Sequence, residues 1–223
     1  LDQADIDVMK ASKTCVAATR FQYDYLNDDI TDDGKIDYSL TNKVPKELQT
    51  IIKEGKKKIL ILINPPYAEA TNSDNVAANA VDSKSKTGVS KTKMTSLMSD
   101  YGYASRELFA QFLVRLEQEI PNATVAMFST LKYVNASNFE KFRSIWNAEF
   151  QNGFIVHSKV FDGLKGDFPI AFLIWKTKEK TANKTPITEI SAEILNKNAE
   201  PIGEKSFYNL PKNIFLNAWL PRI

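Results

Sequence analysis

Cysteine and histidine are almost absent from this chain, which has one of each, Cys15 and His157, among 223 residues. A zinc site of Cys and His ligands, a disulfide framework and a zinc-deaminase centre all need more of them, so these classes are excluded. A single thiol is typical of a reducing compartment, and we expect a cytoplasmic location. Long apolar runs are lacking too, since no stretch approaches the roughly 20 residues of a membrane helix, and the opening LDQADID is no signal peptide.

An excess of one charge is also lacking, because 29 Lys and Arg face 27 Asp and Glu, for a net charge of +2. The lysines are nevertheless dense in three stretches, at residues 53–58, 84–93 and 176–184. Local basic clusters suit phosphate-bearing partners, although solvated lysines on loops are the simpler explanation of any one cluster. The charge therefore permits a nucleic-acid partner without demanding one.

The apolar pattern predicts alternating helices and strands in the first part of the chain. A short helix is expected at 2–12, a strand at 17–25 (AATRFQYDY) and a helix at 46–54 after Pro45. Residues 58–63 (KILILI) form a continuous apolar run, which is typical of a central parallel strand buried on both faces.

The alternation continues beyond a polar, lysine-rich stretch at 68–93. An amphipathic helix is predicted at 99–120, and the further segments are a buried strand at 123–130, a helix at 137–150, a strand pair at 154–161 and 170–175, and a second hairpin of 187–195 with 204–208. This order predicts a three-layer α/β domain with a mostly parallel sheet that ends in an antiparallel hairpin. Cys15 is expected to be a small core residue and His157 an ordinary strand histidine.

The tetrad Asn64-Pro65-Pro66-Tyr67 follows the KILILI strand directly. Ligands of open α/β sheets bind at the carboxyl ends of the strands. Two prolines stiffen the backbone and leave their carbonyls as acceptors, while Asn64 adds a side-chain acceptor and Tyr67 an aromatic face. Acceptors beside a ring suit a planar group that carries an NH2, but a strand-ending turn explains the same four residues.

The tetrad in its surroundings resembles the S-adenosylmethionine-dependent DNA adenine methyltransferases of restriction–modification systems, whose sheet is Rossmann-like. QYDYL at 22–26 is similar to the third-strand motif of that family, and YASRELFAQF at 103–112 to its helix with an aromatic, site-facing start. FDGLKGDFP at 161–169 is similar to its last motif. The resemblance covers about residues 1–177 in the order of the family.

The resemblance implies roles for particular residues. Asn64, Pro65, Pro66 and Tyr67 would be the catalytic tetrad, and Tyr67, Phe168 and Asp24 would contact a flipped-out adenine. The implied cofactor is S-adenosyl-L-methionine, bound by Asp2, Asp24, Tyr25 and Asn64, and no metal is implied. Asp24 also suits a simple turn cap.

The sequence departs from the family at the glycine-rich cofactor turn, because no glycine precedes Gly34. We therefore expect an N-terminally truncated, internal piece of a longer enzyme that does not catalyse alone. Residues 1–177 would be the methyltransferase core and 178–223 the start of a target-recognition region. The expected partners are double-stranded DNA and the rest of a restriction–modification polypeptide or a specificity subunit, without a membrane.

The implied reaction is transfer of a methyl group to the 6-amino group of adenine. Two acceptors, the Asn64 side-chain oxygen and the Pro65 carbonyl, would hold both N–H bonds and aim the nitrogen lone pair, which asks for positioning rather than a tuned acid/base pair. Three alternatives stay open: a protein-glutamine methyltransferase, a ribosomal-RNA guanine methyltransferase, and a DNA-binding remnant without activity.

Overall fold

The computed structural model describes residues 3–66, 92–161, 166–179 and 181–209. Six helices and six strands are defined in these ranges, together with three short 3₁₀ segments at Ser99–Arg106, Ser137–Phe139 and Ser158–Val160. The helices are α1 (Gln3–Ala11), α2 (Lys46–Glu54), α3 (Lys93–Ser96), α4 (Leu108–Glu119), α5 (Lys132–Asn135) and α6 (Glu140–Ile145). The strands are β1 (Leu60–Ile63), β2 (Thr124–Ser129), β3 (Ala148–His157), β4 (Pro169–Thr177), β5 (Glu189–Leu195) and β6 (Pro201–Tyr208).

The six strands form one sheet in the order β1-β2-β4-β3-β5-β6. Strand β1 pairs with β2 and β3 with β5 in parallel, whereas β4 runs antiparallel to both of its neighbours and β6 antiparallel to β5. Four of the six strands therefore run in one direction, which agrees with the predicted mostly parallel sheet and is compatible with a Rossmann-like fold. The predicted antiparallel hairpin is β3–β4.

The main core lies on one face of this sheet. Strands β2 and β4 contribute Val125, Met127, Leu173 and Trp175 to it, and each of these side chains is fully buried. Helix α4 lies over them with a stripe of apolar residues, because positions three and four apart share a helical face. This stripe consists of Leu108, Phe109, Leu113 and Leu116.

The opposite face of the sheet is only partly covered. Leu60 and Leu62 of β1 are 71% and 74% exposed. Phe128, Phe154 and Phe172 form a cluster on this face with ring centroids 4.7–6.2 Å apart, and they are half-buried. The predicted three-layer arrangement is therefore not confirmed by the described residues.

Strand β1 corrects one sequence-based expectation. It lies beside β2 in parallel as predicted, but it is the edge of the sheet among the described strands and not a central strand buried on both faces. Ile61 and Ile63 face the core, while Leu60 and Leu62 face outward. A continuous apolar run does not distinguish a covered strand from one whose second face is open.

The strand expected at 17–25 is absent, and residues 19–24 form irregular chain between a turn that ends at Ala17 and a turn that begins at Tyr25. Asn27 and Asp28 donate backbone hydrogen bonds to the carbonyl of Asp24. The aromatic residues that favoured a strand pack against α4 instead, because Tyr25 stacks on Phe112 with ring centroids 5.7 Å apart. Cys15, expected in the core, is exposed in the preceding turns.

Two predicted helices are shorter than expected. In 99–120 the chain is 3₁₀ before α4 begins, because Gly102 has φ +62° and Glu107 is extended, so the helical pattern is broken twice. In 137–150 the helix ends at Ile145, since Trp146 is extended, and residues from Ala148 onward belong to β3.

The C-terminal hairpin β5–β6 forms as predicted and extends the same sheet, since β5 pairs with β3. The expectation that 178–223 begins a target-recognition region stays a prediction. No helix in the described ranges combines the length and the apolar character needed to cross a membrane.

Candidate functional site

The carboxyl end of β1 lies beside the carboxyl end of β2 and the start of β4. Ile63 is paired with Met127, and two residues later on β2 Ser129 is paired with Ala171 of β4. Asn64, which follows β1, and Phe168, which precedes β4, therefore lie at the same end of the sheet. Only β2 separates β1 from β4, and with strands about 4.8 Å apart the two segments are about 10 Å apart across the sheet. The first three residues of the predicted tetrad and Phe168 thus share one end of the sheet.

The tetrad itself is described through its first three residues. Asn64 and Pro66 are exposed, and Pro65 is buried. Tyr67 lies outside the described residues, and so does Asp2. The predicted contact of Tyr67 with the base and that of Asp2 with the cofactor therefore stay predictions.

Ser158 fixes the backbone on which Phe168 stands. Its hydroxyl donates to the carbonyl of Gly166 at 2.7 Å and accepts from the Phe168 amide at 3.3 Å. The Ser158 amide donates to the Phe168 carbonyl at 2.9 Å. Ser158 is fully buried, whereas Phe168 is partly exposed. The half-exposed ring is therefore held on a backbone with three fixed hydrogen bonds.

Asp24 is engaged in its own turn. One carboxylate oxygen accepts from the amide of Leu26 at 3.2 Å, and the other accepts from the side-chain amide of Asn27 at 2.8 Å. This is an Asx turn, the arrangement in which an aspartate stabilises the backbone that follows it. Asp24 is exposed, and its role towards a base or cofactor stays a prediction.

Arg115 of α4 binds this turn through hydrogen bonds to its backbone. Its guanidinium donates to the carbonyls of Tyr25 and Asp28 and, at 2.7 Å, to the hydroxyl of Tyr23. It also lies over the ring of Tyr25, 4.3 Å from the centroid. Arg115 is fully buried and forms an ion pair with Glu119 at 3.1 Å. Burial opposes the charged form, but the carboxylate of Glu119 together with Tyr25 and Tyr23 outweighs it, so the pKa of Arg115 is raised.

Tyr25, predicted to touch the cofactor, is packed into the same arrangement. Its ring already contacts Phe112 and Arg115. Burial raises the pKa of its hydroxyl well above the usual value, so the phenol stays neutral. In the described structure Tyr25 therefore serves first as a packing residue.

Sequence analysis missed Ser158 and Arg115. Arg115 could have been found, because it lies three residues after Phe112 and seven after Leu108, on the apolar face of the helix, where a charge needs a partner. Ser158 had no such signal, since a serine after a strand is ordinary. His157, noted instead, is half-exposed and lies 3.6 Å from Asp167.

The predicted contacts to S-adenosylmethionine fall only partly on the described residues, and the cofactor stays a prediction. Of the four predicted contacts, Asp2 is outside the described ranges, Asp24 and Tyr25 are engaged in local packing, and Asn64 stands at the sheet end. The sequence also has no glycine-rich turn before Gly34. Within the described ranges no group of three or more His, Cys, Asp or Glu side chains could hold a metal ion.

Comparison with known proteins gives limited likenesses. No protein-family model and no curated protein matches the chain. Among solved structures, the ATP-dependent Type ISP restriction-modification enzyme LlaBIII bound to DNA is similar over 78% of this chain at 13% identity, with a TM-score of 0.40. A DrdV–DNA complex is similar over 72% at 16% identity, with a TM-score of 0.38.

A third structure is a nuclease-deletion mutant of the Type ISP restriction-modification enzyme LlaGI in complex with a DNA substrate mimic. It is similar over 69% of this chain at 11% identity, with a TM-score of 0.40. The chain spans 12%, 17% and 16% of the length of these three chains. At such identities and TM-scores the likeness assigns neither fold nor function to this chain.

Proposed function

We propose that this chain is the target-base half of a DNA adenine methyltransferase from a restriction–modification enzyme. The observation that carries the proposal is that Asn64-Pro65-Pro66 and Phe168 lie at one end of the sheet, with a single strand between them. All three similar structures contain DNA or a DNA mimic, and two are Type ISP restriction-modification enzymes. The proposal rests on the residues and not on that likeness.

Asn64 and Pro65 are the proposed acceptors for the amino group of adenine. The lone pair of that nitrogen is delocalised into the ring, which makes the nitrogen a poor nucleophile. If the Asn64 side-chain oxygen and the Pro65 carbonyl accept its two N–H bonds, the lone pair is localised and given a direction. Positioning and electrostatic complementarity then supply the rate, and no side chain of tuned pKa is required.

Phe168 is the proposed stacking surface for the flipped base, with Tyr67 on the other face. Extrusion of a base from the duplex costs a few kcal/mol. Stacking on an aromatic side chain returns about 1–3 kcal/mol per base. The Ser158 hydroxyl donates to the Gly166 carbonyl and accepts from the Phe168 amide, which fixes the backbone of Phe168 before the base arrives. Little conformational entropy is therefore lost on binding.

S-adenosylmethionine would supply the electrophilic methyl group, and the part of its site that these residues lack would come from elsewhere in a longer polypeptide. Arg115 would act indirectly, because it holds the backbone that follows Asp24 and the side chain of Tyr23 that precedes it. The role of these 223 residues is therefore to bind and orient the acceptor base.

The test is transfer of a labelled methyl group from S-adenosylmethionine to unmethylated duplex DNA by the full natural polypeptide that contains this sequence. Asn64→Ala removes the side-chain acceptor and is expected to lower the rate by at least about 100-fold, since one lost transition-state hydrogen bond costs about 2.7–4 kcal/mol. Asn64→Asp keeps an acceptor oxygen at the same place and is expected to retain part of the activity.

Equal rates for Asn64→Ala and the unaltered polypeptide would contradict the proposal. Labelling of a protein glutamine or of ribosomal RNA in place of DNA would move the chain to one of the two related enzyme groups. Absence of transfer to every substrate, together with no binding of the cofactor, would favour the DNA-binding remnant.

A further inference from the structure

A cavity of about 730 Å³ lies between α2, the loop of residues 34–38 and the end of α4. Its lining includes Ile36 and Ile52, the ring of Tyr38, and three lysines, Lys35, Lys46 and Lys53. The volume lies in the range of about 300–1,000 Å³ that is usual for small-molecule sites. The methyl-transfer function proposed above does not use this cavity.

The cavity is at the opposite end of the sheet from Asn64. Glu119, which lines it, is the last residue of α4 and precedes β2 by only a few residues. Lys53 is near the end of α2, shortly before β1 begins. The cavity therefore lies near the amino ends of β1 and β2, whereas the tetrad follows the carboxyl end of β1.

Helix α2 presents a row of polar side chains to the cavity. Lys46, Gln49, Thr50 and Lys53 all line it, and their spacing of three, four and seven residues puts them on one helical face. Both lysines are exposed. Among the residues that the structure describes, no carboxylate lies within 4.0 Å of either ammonium group. Lys35, by contrast, is paired with Asp33 at 2.6 Å.

Among the lining residues that the structure describes, Glu119 is the one acidic residue, and its charge is already compensated. One of its oxygens accepts from Arg115 at 3.1 Å and the other from the Tyr38 hydroxyl at 2.5 Å. Its side chain is only 4% exposed. Lys46 and Lys53 therefore make the electrostatic potential at the mouth of the cavity positive. An anion that enters between them meets no exposed carboxylate among the described lining residues.

We propose that this cavity binds the phosphate of a nucleotide, either free or in the backbone of DNA. Lys46 and Lys53 would bind the phosphate oxygens, since an ammonium group on a flexible stem is a common phosphate ligand. Thr50 lies between the two lysines on the same helical face, but its hydroxyl donates to the carbonyl of Lys46 at 2.9 Å, so the two ammonium groups are the proposed donors. Ile36, Ile52 and the Tyr38 ring offer an apolar surface to the attached sugar and base.

Paired charge variants of the full chain test the proposal. Lys46→Gln with Lys53→Gln removes the two charges of the cavity. Lys56→Gln with Lys57→Gln removes two exposed charges a few residues away that do not line it. Binding is measured by fluorescence anisotropy of a labelled 20-base-pair duplex and by calorimetry with ADP, each at two salt concentrations.

We expect the cavity pair to weaken one probe by at least about 10-fold, and the control pair to change that probe less than about 2-fold. If the duplex responds, the phosphate is that of DNA, and the salt dependence falls by nearly two counterions. If ADP responds and the duplex does not, the ligand is a free nucleotide. Equal losses for both pairs, or no binding of either probe to the unaltered chain, would overturn the proposal.

This inference is independent of methyl transfer. Lys46 and Lys53 lie at the opposite end of the sheet from Asn64, and the methyl-transfer proposal uses neither of them. A failure of the methyl-transfer test with an intact response of Lys46 and Lys53 would therefore remove the proposed activity and leave the phosphate site.

Discussion

Arg115 shows how one buried side chain can organise a segment that has no regular structure of its own. It is fully buried, and its guanidinium reaches two backbone carbonyls, the Tyr23 hydroxyl and the carboxylate of Glu119. Because Glu119 also accepts from Tyr38, the ion pair connects the 23–28 turn to the loop beside the cavity. This pair therefore supports both the turn that contains Asp24 and the wall of the proposed phosphate site.

Arg115→Met is expected to destabilise the fold by about 3–5 kcal/mol, because removal of one partner of a buried ion pair leaves the other charge uncompensated. Methionine keeps an unbranched apolar stem, so the loss comes from the guanidinium group, its ion pair and its hydrogen bonds. The measurement is urea unfolding followed by circular dichroism.

The matched control is the double variant with Arg115→Met and Glu119→Gln. Without the unpaired carboxylate, it is expected to recover part of the lost stability. A double variant that is as unstable as the sum of its two single variants would show that Arg115 and Glu119 do not interact in this way.

At the scale of elements, strand β3 contains one position where only glycine fits. A Cβ atom at Gly153 would lie 2.5 Å from the carbonyl oxygen of Phe172 and 2.7 Å from a methyl group of Leu173. Gly153 follows a register irregularity between Phe150 and Asn152, where the strands β3 and β4 come close together. The β3–β4 hairpin, which carries Phe168 at its tip, is therefore built around this contact.

Gly153→Ala is expected to cost about 1–3 kcal/mol, because the added methyl group forces the two strands apart. Gly55→Asn is a suitable comparison. Gly55 caps α2 with φ +62° and has open space around it, and asparagine tolerates that backbone conformation. Thermal unfolding of both variants decides the point: a loss for Gly153→Ala no larger than that for Gly55→Asn would contradict the steric argument.

The elements with a clear periodic or continuous apolar pattern could be predicted from the sequence. Strand β2, helix α2 and the C-terminal hairpin form close to their predicted positions, because local pattern and tertiary packing agree there. Strand β3 begins six residues before the predicted strand at 154–161 and ends at His157. The segment 17–25 could not be predicted, since its aromatic residues pack on α4 through Arg115 and not through a neighbouring strand. The break before α4 depends on the backbone of Gly102 and Glu107, which a helical periodicity does not reveal.

The candidate site was predictable to a similar degree. The position of Asn64-Pro65-Pro66 after a strand follows from sequence order alone. Its proximity to Phe168 required the strand order, because residues about a hundred positions apart are brought together only when β4 inserts beside β2. The support from Ser158 depends on a backbone geometry that has no sequence signature.

At the scale of the whole molecule, buried tyrosines connect the fold to pH. Burial raises the pKa above the usual value of 10.0 for five tyrosines: Tyr23, Tyr25, Tyr38, Tyr101 and Tyr133. The neutral phenol is therefore favoured in the folded state relative to the unfolded chain. This stabilisation is fully present below pH 10, and it is lost progressively as the pH rises above 10 towards the pKa values of the folded state.

Stability is therefore expected to be nearly independent of this effect from pH 7 to 9 and to fall above pH 10. Tyr25 and Tyr133 each contribute about 1.4 kcal/mol per pH unit in that range, while the partly solvated tyrosines contribute less. The midpoints of urea unfolding at pH 8, 10 and 11 measure this loss of stability, and the absorbance of phenolate at 295 nm measures the ionisation of the tyrosines. Tyr25→Phe should make the fall shallower, and an unchanged midpoint at pH 11 would contradict the expectation.

The position of β1 has a consequence for the order in which the molecule opens. Strand β1 is four residues long, is paired on one side among the described strands, and exposes Leu60 and Leu62. Strand β4 is paired on both sides along nearly its whole length. Backbone amides of β1 are therefore expected to exchange with solvent before those of β4. In the proposed base site, Phe168 would thus adjoin a strand that opens rarely and Asn64 a strand that opens more often. Any segment that covers β1 would then decide how long the site stays formed.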